Sequence, residues 1–373
     1  MRVVFWVAAS FIAYTYVGYM AWLALRRRWR SVPVERQSYT PSVTAVLVVH
    51  NEADRISERL DNILASNYPE EQFEIVVVSD GSTDKTGEIL EKWSQQPRVS
   101  AVSNAVARGK AAGLNDAFAL ARGEIIFFTD VRQKLEPDCL QLLMQNFADP
   151  DVGCASGELM LGDPGSGEAS RGVGLYWRIE KRIRELESSS GSVIGATGAV
   201  YAVRRTLLTA MPAGTILDDV YIPMQVVRQG KRVIFDSRAH AWDVADQGTK
   251  REFARKVRTL SGNYQLLQLL PWLLRGTNPV RFELISHKLL RLLVPLALLG
   301  TLVSCMFLST PFYRFMLLVQ ITFYGLSLLA PTKLRLGTLT RAADAAFTFV
   351  VLNTAALVAF LNFVSGRKAV WTR

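Results

Sequence analysis

Cysteine and histidine are both scarce, three of each in 373 residues. Cys139, Cys154 and Cys305 are odd in number and scattered, which excludes a disulfide framework. His50, His240 and His287 are equally isolated, so no cluster of soft ligands marks a structural metal site. Acidic residues are in deficit too: 33 Asp and Glu face 43 Lys and Arg, for a net charge of +10. A nucleic-acid binder would gather that excess on one folded domain among stacking aromatics. Here many basic residues flank apolar runs, where they would face anionic lipid, and nucleic acid is excluded as the partner.

Half of the residues are hydrophobic, and they are unevenly spread. Val3 to Leu25 carries no charge and is long enough to span a bilayer as a helix. Arg26-Arg27-Arg28-Trp29-Arg30 follows at once. A cleavable signal peptide carries its charge before the apolar stretch, so this run reads as an anchor. The positive-inside rule then puts the N-terminus outside and the chain after Arg30 in the cytoplasm. Three more uncharged runs, Leu292 to Tyr313, Phe315 to Thr332 and Ala345 to Gly366, follow near the C-terminal end. Thr310-Pro311 and Arg314 mark the first turn between them, and Lys333, Arg335 and Arg341 suit a cytoplasmic loop. Four spans would leave Arg367, Lys368 and Arg373 outside, against the charge rule. Either the last run is not a full span or its flanking charges are outvoted.

Between the anchors the pattern alternates. Val43 to Val49 reads as a buried strand, followed by a helix with Ile56, Leu60, Ile63 and Leu64 on one face. Ile75 to Val78, Val99 to Val102 and Glu124 to Thr129 are further strands, with helices over Thr83 to Trp93 and Ala111 to Ala121. Strand and helix in alternation predict an α/β domain with a doubly wound, parallel, Rossmann-like sheet. In such a sheet ligands sit beyond the carboxyl ends of the strands. Asn51-Glu52, Asp80 and Asp130 each close a buried strand, with Gly109-Lys110 on a nearby loop. One carboxylate after a strand is most simply a cap. Three strand ends of this kind on one rim, with a lysine, predict a site for a nucleotide diphosphate. Ser156 to Gly174, rich in glycine, is expected to be a mobile loop. Phe253, Val257, Leu260, Tyr264 and Leu267 give an amphipathic helix suited to the membrane interface.

The combination resembles family 2 glycosyltransferases of the GT-A fold, the inverting group of cellulose, hyaluronan and poly-N-acetylglucosamine synthases. The likeness runs from about Val43 to Leu274. It is carried by His50-Asn51-Glu52, Ser79-Asp80-Gly81-Ser82-Thr83-Asp84, Gly109-Lys110-Ala111 and Gly195-Ala196-Thr197-Gly198-Ala199-Val200-Tyr201. Leu217-Asp218-Asp219 and Arg255-Lys256-Val257-Arg258-Thr259 complete the set. The chain then divides into a transmembrane anchor with its basic flank (1–30), a cytoplasmic GT-A domain (31–250), interfacial amphipathic helices (251–288) and C-terminal transmembrane helices (289–373).

The resemblance implies a hexosyltransferase-type enzyme with Asp219, the last acid of the family's Thr-Glu-Asp motif, as general base. Asn51, Glu52, Asp80, Lys110, Asp130, Arg132 and Arg258 would bind the nucleotide-sugar donor. Gly198, Asp218, Arg255 and Thr259 would lie toward a glycan or glycolipid acceptor. Asp130 matches the first acid of an Asp-x-Asp motif that holds Mg²⁺ or Mn²⁺, but Arg132 stands where the second acid belongs. Asp130 then holds a metal with fewer protein ligands, Arg132 replaces the metal's charge, or donor binding is lost. The family's Gln-x-x-Arg-Trp motif keeps only Arg258, and Thr259 in place of Trp argues against processive synthesis. The leading expectation is a multi-pass enzyme of the plasma membrane that extends a polysaccharide from a UDP-sugar and couples synthesis to export. Its rivals are a single-sugar transferase acting on a lipid-linked acceptor, and a catalytically silent donor-binding subunit that works with a partner.

Overall fold

β-Branched runs set the centre of the molecule. The computed structural model describes residues 1–162, 175–243, 249–332 and 337–366. A long helix, α1 (Arg2–Trp29), precedes β1 (Val43–Val49), α2 (Ile56–Leu64), β2 (Phe73–Asp80), α3 (Thr86–Trp93), β3 (Val99–Asn104), α4 (Lys110–Leu120) and β4 (Ile125–Phe128). β1 lies between β2 and β4, with β3 outside β2, and all these pairings are parallel. Val46, Val76, Val78, Ile126 and Phe128 feed one core, while Ala45, Leu47, Ile75, Val77 and Phe127 feed another. Both faces are therefore covered, which is why these strands read as unbroken apolar runs.

Beyond β4 the sheet departs from the parallel, doubly wound expectation. β5 (Lys134–Leu135), α5 (Cys139–Met144), β6 (Val152–Leu161), α6 (Leu175–Ser190), β7 (Tyr201–Arg204), α7 (Asp218–Arg228) and β8 (Arg232–Asp243) follow. The sheet has eight strands in the order β3-β2-β1-β4-β7-β6-β8-β5. It is mixed: β7 runs antiparallel to β4 and β6, and β5 to β8. Tyr201 pairs with Phe128, so the chain entering β7 does so from the carboxyl end of β4. The antiparallel step thus delivers the Gly195–Val200 loop to the rim that carries Asp130. Ser156 to Leu161, expected in a loop, belongs to β6, where it is hydrogen-bonded to β7 and β8. The remainder of that expected loop, 163–174, lies outside the described residues, as do 333–336 and 367–373 with their basic residues.

Four helices are long and apolar enough to cross a membrane, Arg2–Trp29, Arg281–Phe307, Pro311–Thr332 and Leu339–Val364, and they mark a membrane protein. They form α1, α9 (Arg281–Phe307), α10 (Pro311–Ser327) and α11 (Thr338–Val364), the latter three following α8 (Thr249–Leu269). The first of the C-terminal runs was expected over Leu292 to Tyr313. It begins instead at Arg281 and ends at Phe307, since His287, Lys288 and Arg291 mask its first turns from a hydropathy reading. Residues 281–288, expected at the interface, are part of that helix. α1 and α9 each contain a π-helical turn, Tyr14–Gly18 and Leu284–Leu289, and the two meet where Tyr14 Oη lies 2.8 Å from Ser286 Oγ. Such turns reorient side chains within a helix and recur at functional sites.

Polar ties hold the sheet domain to these helices. Glu180 and Glu187 of α6 contact His287 at 3.0 and 2.8 Å, Arg291 donates to Glu180 at 2.7 Å, and Tyr19 donates to Glu187 at 2.6 Å. Arg26 pairs with Glu283. On the other flank, the Tyr264 ring of α8 stacks on Phe363 of α11 at 4.7 Å.

The packing of α4 on β1 leaves no room at Gly113, where a Cβ would lie 2.6 Å from Val48 Cγ1. Gly113→Ala is expected to cost about 1–3 kcal/mol through overpacking. At Gly87 of α3 the nearest atom to an added Cβ is 3.9 Å away, and alanine there gains about 0.4–1 kcal/mol. Thermal unfolding of the two purified variants in detergent should move in opposite directions.

Candidate active site

The rim is assembled from strand ends. β2 closes with Asp80, whose two carboxylate oxygens accept from the backbone N–H groups of Arg108 at 2.8 Å and Gly109 at 2.7 Å. Gly109 has φ 93°, a left-handed value that glycine allows, and it turns the chain into α4. Asp80 therefore braces the Lys110 loop. Asn51, the one described non-glycine residue with positive φ (56°), accepts from Thr83 N–H at 2.8 Å. Its own N–H donates to Ser82 Oγ at 3.1 Å. Glu52 donates its N–H to Thr86 Oγ1 at 2.9 Å, and burial raises the pKa of its carboxyl.

Asp130 leaves β4 with its carbonyl fixed by Arg59 Nε at 2.9 Å. Arg59 is buried, and its partner Thr129 in turn donates to the carbonyl of Ala199 at 2.8 Å, joining the Asp130 turn to the Gly195–Val200 loop. Lys110 Nζ lies 3.0 Å from Asp130 Oδ1 and 3.0 Å from Asp218 Oδ2. Burial opposes its charge, but the two carboxylates outweigh that effect and hold its pKa above the usual lysine range. Tyr201 stacks on Phe128 at 4.3 Å beneath this group.

Asp219 occupies the first turn of α7 and makes no side-chain hydrogen bond or ion pair among the described residues. It is thus not the helix cap that a bland reading of Leu217-Asp218-Asp219 suggests. Its carboxylate faces Gly198, where an added Cβ would stand 3.4 Å from Oδ2. Gly198 makes room for the acid. Burial and the adjacent charge of Asp218 push the Asp219 pKa up to about 6, partly opposed by Lys110, Lys288 and Arg184. The segment before it is held by α8: Gln265 accepts from Ile216 N–H at 2.9 Å and donates to Gly214 O at 2.8 Å. Gly262 admits Leu217, whose Cγ would be 2.6 Å from a Cβ at that position.

Among the remaining expected residues, Arg132 donates to Asp243 at 2.8 Å, as does Gln133 at 2.9 Å. Arg255, Arg258 and Thr259 lie in the first half of α8, ahead of Gly262. Arg59, Arg184, Gln265 and Lys288 escape a sequence reading. Only Lys288 had a signal, as a charge at the head of an apolar run.

A divalent cation fits this rim in one way. No group of three or more His, Cys, Asp or Glu able to hold a metal occurs among the described residues. Asp130 spends one oxygen on Lys110 and has a side chain 38% exposed, which leaves hard oxygen for one ligand. Magnesium-type sites commonly combine one or two carboxylates with substrate phosphates, so the fit requires the diphosphate of a donor.

Residues 44–210 match the family model described as Glycosyl transferase family 2. Poly-beta-1,6-N-acetyl-D-glucosamine synthases of Staphylococcus aureus (strain MSSA476) and Staphylococcus epidermidis are 23% and 22% identical over 229 residues. Each alignment covers 60% of this chain and 55% of the relative, so the chain spans about half the length of the curated relatives it matches. A solved structure of the mannosyltransferase PcManGT from Pyrobaculum calidifontis, in complex with GDP-Man and Mn²⁺, superposes with a TM-score of 0.74 at 23% identity. That likeness of fold covers 98% of this chain and 100% of the neighbour, apolar helices included. The mixed sheet is thus a GT-A sheet, and residues 44–210 of the chain form a family 2 glycosyltransferase domain.

Proposed function

We propose that this protein is a multi-pass membrane enzyme that transfers a sugar, with inversion, from a nucleotide-sugar donor to a glycan or glycolipid acceptor presented at the membrane. The observation that carries the reading is the unpaired Asp219 carboxylate, set beside Gly198 with a pKa raised to about 6. A general base works best when its pKa lies near the operating pH and its lone pair is free. The acceptor hydroxyl attacks the anomeric carbon as its proton passes to Asp219. The bond from that carbon to the diphosphate oxygen breaks on the opposite face, and the nucleoside diphosphate departs.

Asn51, Glu52, Lys110 and Asp130 form the donor rim, with Asp80 holding the Lys110 loop in shape. Lys110 carries positive charge to the side where the leaving diphosphate gathers negative charge. A bound Mg²⁺ or Mn²⁺, held by Asp130, would supply further neutralisation of that charge. Arg132 and Arg258 are the other cations for the diphosphate, while Asp218, Arg255 and Thr259 are assigned to the acceptor side. A UDP-sugar is the first donor class to test, and the GDP-Man of the fold neighbour makes a GDP-sugar the second. Arg26, Arg27, Arg28 and Arg30 at the end of α1 favour a cytoplasmic sheet domain at the plasma membrane.

Across a panel of UDP- and GDP-sugars, one donor should release nucleotide, EDTA should suppress the release and Mn²⁺ should restore it. Asp219→Asn should lower kcat by about 10²–10⁴-fold, the contribution of a positioned base, with nucleotide Kd unchanged. Equal loss of nucleotide binding would contradict the assignment. Because the ionised carboxylate is the active form, transfer should rise with pH through a limb near 6. Asp218→Asn removes the like charge and should shift that limb to lower pH. A limb that stays in place would show that Asp219 does not set the profile.

A further inference from the structure

Lys288 makes no direct ion pair among the described residues. It is half-buried on α9, a helix apolar enough to cross a membrane, and makes no hydrogen bond or ion pair among the described residues. Glu180 is one carboxylate near it, and that group is already engaged. Oε1 of Glu180 contacts His287 at 3.0 Å and Arg184 Nε at 3.6 Å, and its Oε2 accepts from Arg291 at 2.7 Å. Arg184 and Arg291 add like charge around Lys288. The other nearby carboxylate is Asp219, whose charge Lys288 and Arg184 both act upon. Arg184 reaches the same place by a second route. Its Nη1 donates to Thr197 Oγ1 at 2.8 Å, next to the Gly198 that faces Asp219.

Two cations of opposite standing thus act on one base. Lys110, from the sheet, is matched by two carboxylates at 3.0 Å. Lys288, from an apolar helix, has no carboxylate within ion-pair distance among the described residues. A half-buried ammonium that makes no ion pair on an apolar helix is costly, and its presence points to a ligand that brings the counter-charge. Sugar hydroxyls carry no charge and need no ammonium. A phosphate does, and hydrogen bonds to charged groups are the strong ones.

We propose that Lys288 and Arg184 bind the phosphate or diphosphate of a membrane-embedded acceptor lipid and so hold the acceptor beside Asp219. Naming this ligand the acceptor rests on the transferase reading above; the anion site itself does not. The same oxyanion chemistry could come from the nucleotide, so the test separates the two sources.

Binding to the full-length protein in detergent is measured with farnesyl phosphate, with farnesol, and with UDP and GDP. The wild type should prefer farnesyl phosphate over farnesol by about tenfold or more, as one charge-assisted hydrogen bond of ~1.5–3 kcal/mol would give. Lys288→Met should abolish that preference, Lys288→Arg should keep it, and the nucleotide Kd should not change. Three results would overturn the proposal: no preference in the wild type, a preference that survives Lys288→Met, or one lost equally in Lys288→Arg. A matching loss of nucleotide affinity in Lys288→Met would assign the lysine to the donor and overturn it too. None of these results depends on sugar transfer, so absence of nucleotide release in the panel would remove the enzymatic reading alone.

Discussion

Three carboxylates brought to one rim repel one another, and the ammonium of Lys110 stands between two of them. Its 3.0 Å contacts to Asp130 and Asp218 join the end of β4, the start of α4 and the start of α7. The rim is thus an electrostatic unit rather than a row of separate side chains. The third carboxylate, Asp219, is left outside the arrangement. Unpaired, half-buried and next to Asp218, it acquires the raised pKa that suits a base. One lysine therefore divides the labour among three acids.

The first half of the fold was legible because its strands are covered on both faces. Val43–Val49, Phe73–Asp80, Val99–Asn104 and Ile125–Phe128 fall on the apolar runs that announce them. The second half was not. β7 is a four-residue strand and β5 a two-residue one, and their partners are distant or antiparallel, so neither periodicity nor a nearby turn betrays them. β6 carries Gly153 and Gly157, and its part from Ser156 onward reads as loop. Each glycine is required by packing: a Cβ at 153 would meet Leu207 at 2.6 Å, and one at 157 would meet the carbonyl of Ala239 at 2.5 Å.

The site was legible as chemistry and illegible as contact. Asp219 and Lys110 are expected at the site from their motifs, yet nothing in the order of residues says that Lys110 meets Asp218. Asp80 shows the reverse difficulty. Its type and place after a strand fit a ligand contact, while the backbone of Arg108 and Gly109 claims both its oxygens. Arg132 stands in the position of a missing acid, but Asp243 from the far end of β8 takes its charge. Such pairings arise from the mixed sheet, whose topology a one-dimensional pattern does not contain.

Glu180 and Glu187 bear on where this enzyme could be divided. Both are buried, and their polar partners Tyr19, His287 and Arg291 all belong to the apolar helices. Gln265 and Gly262, which fix the chain just before Asp219, also lie past the boundary at residue 250 that motif and hydropathy suggest. A fragment ending there would take His287 and Arg291 from Glu180, take His287 from Glu187, and remove the residues that hold the chain before Asp219. α8 and the apolar helices thus help to hold the candidate site in shape, as the sheet does.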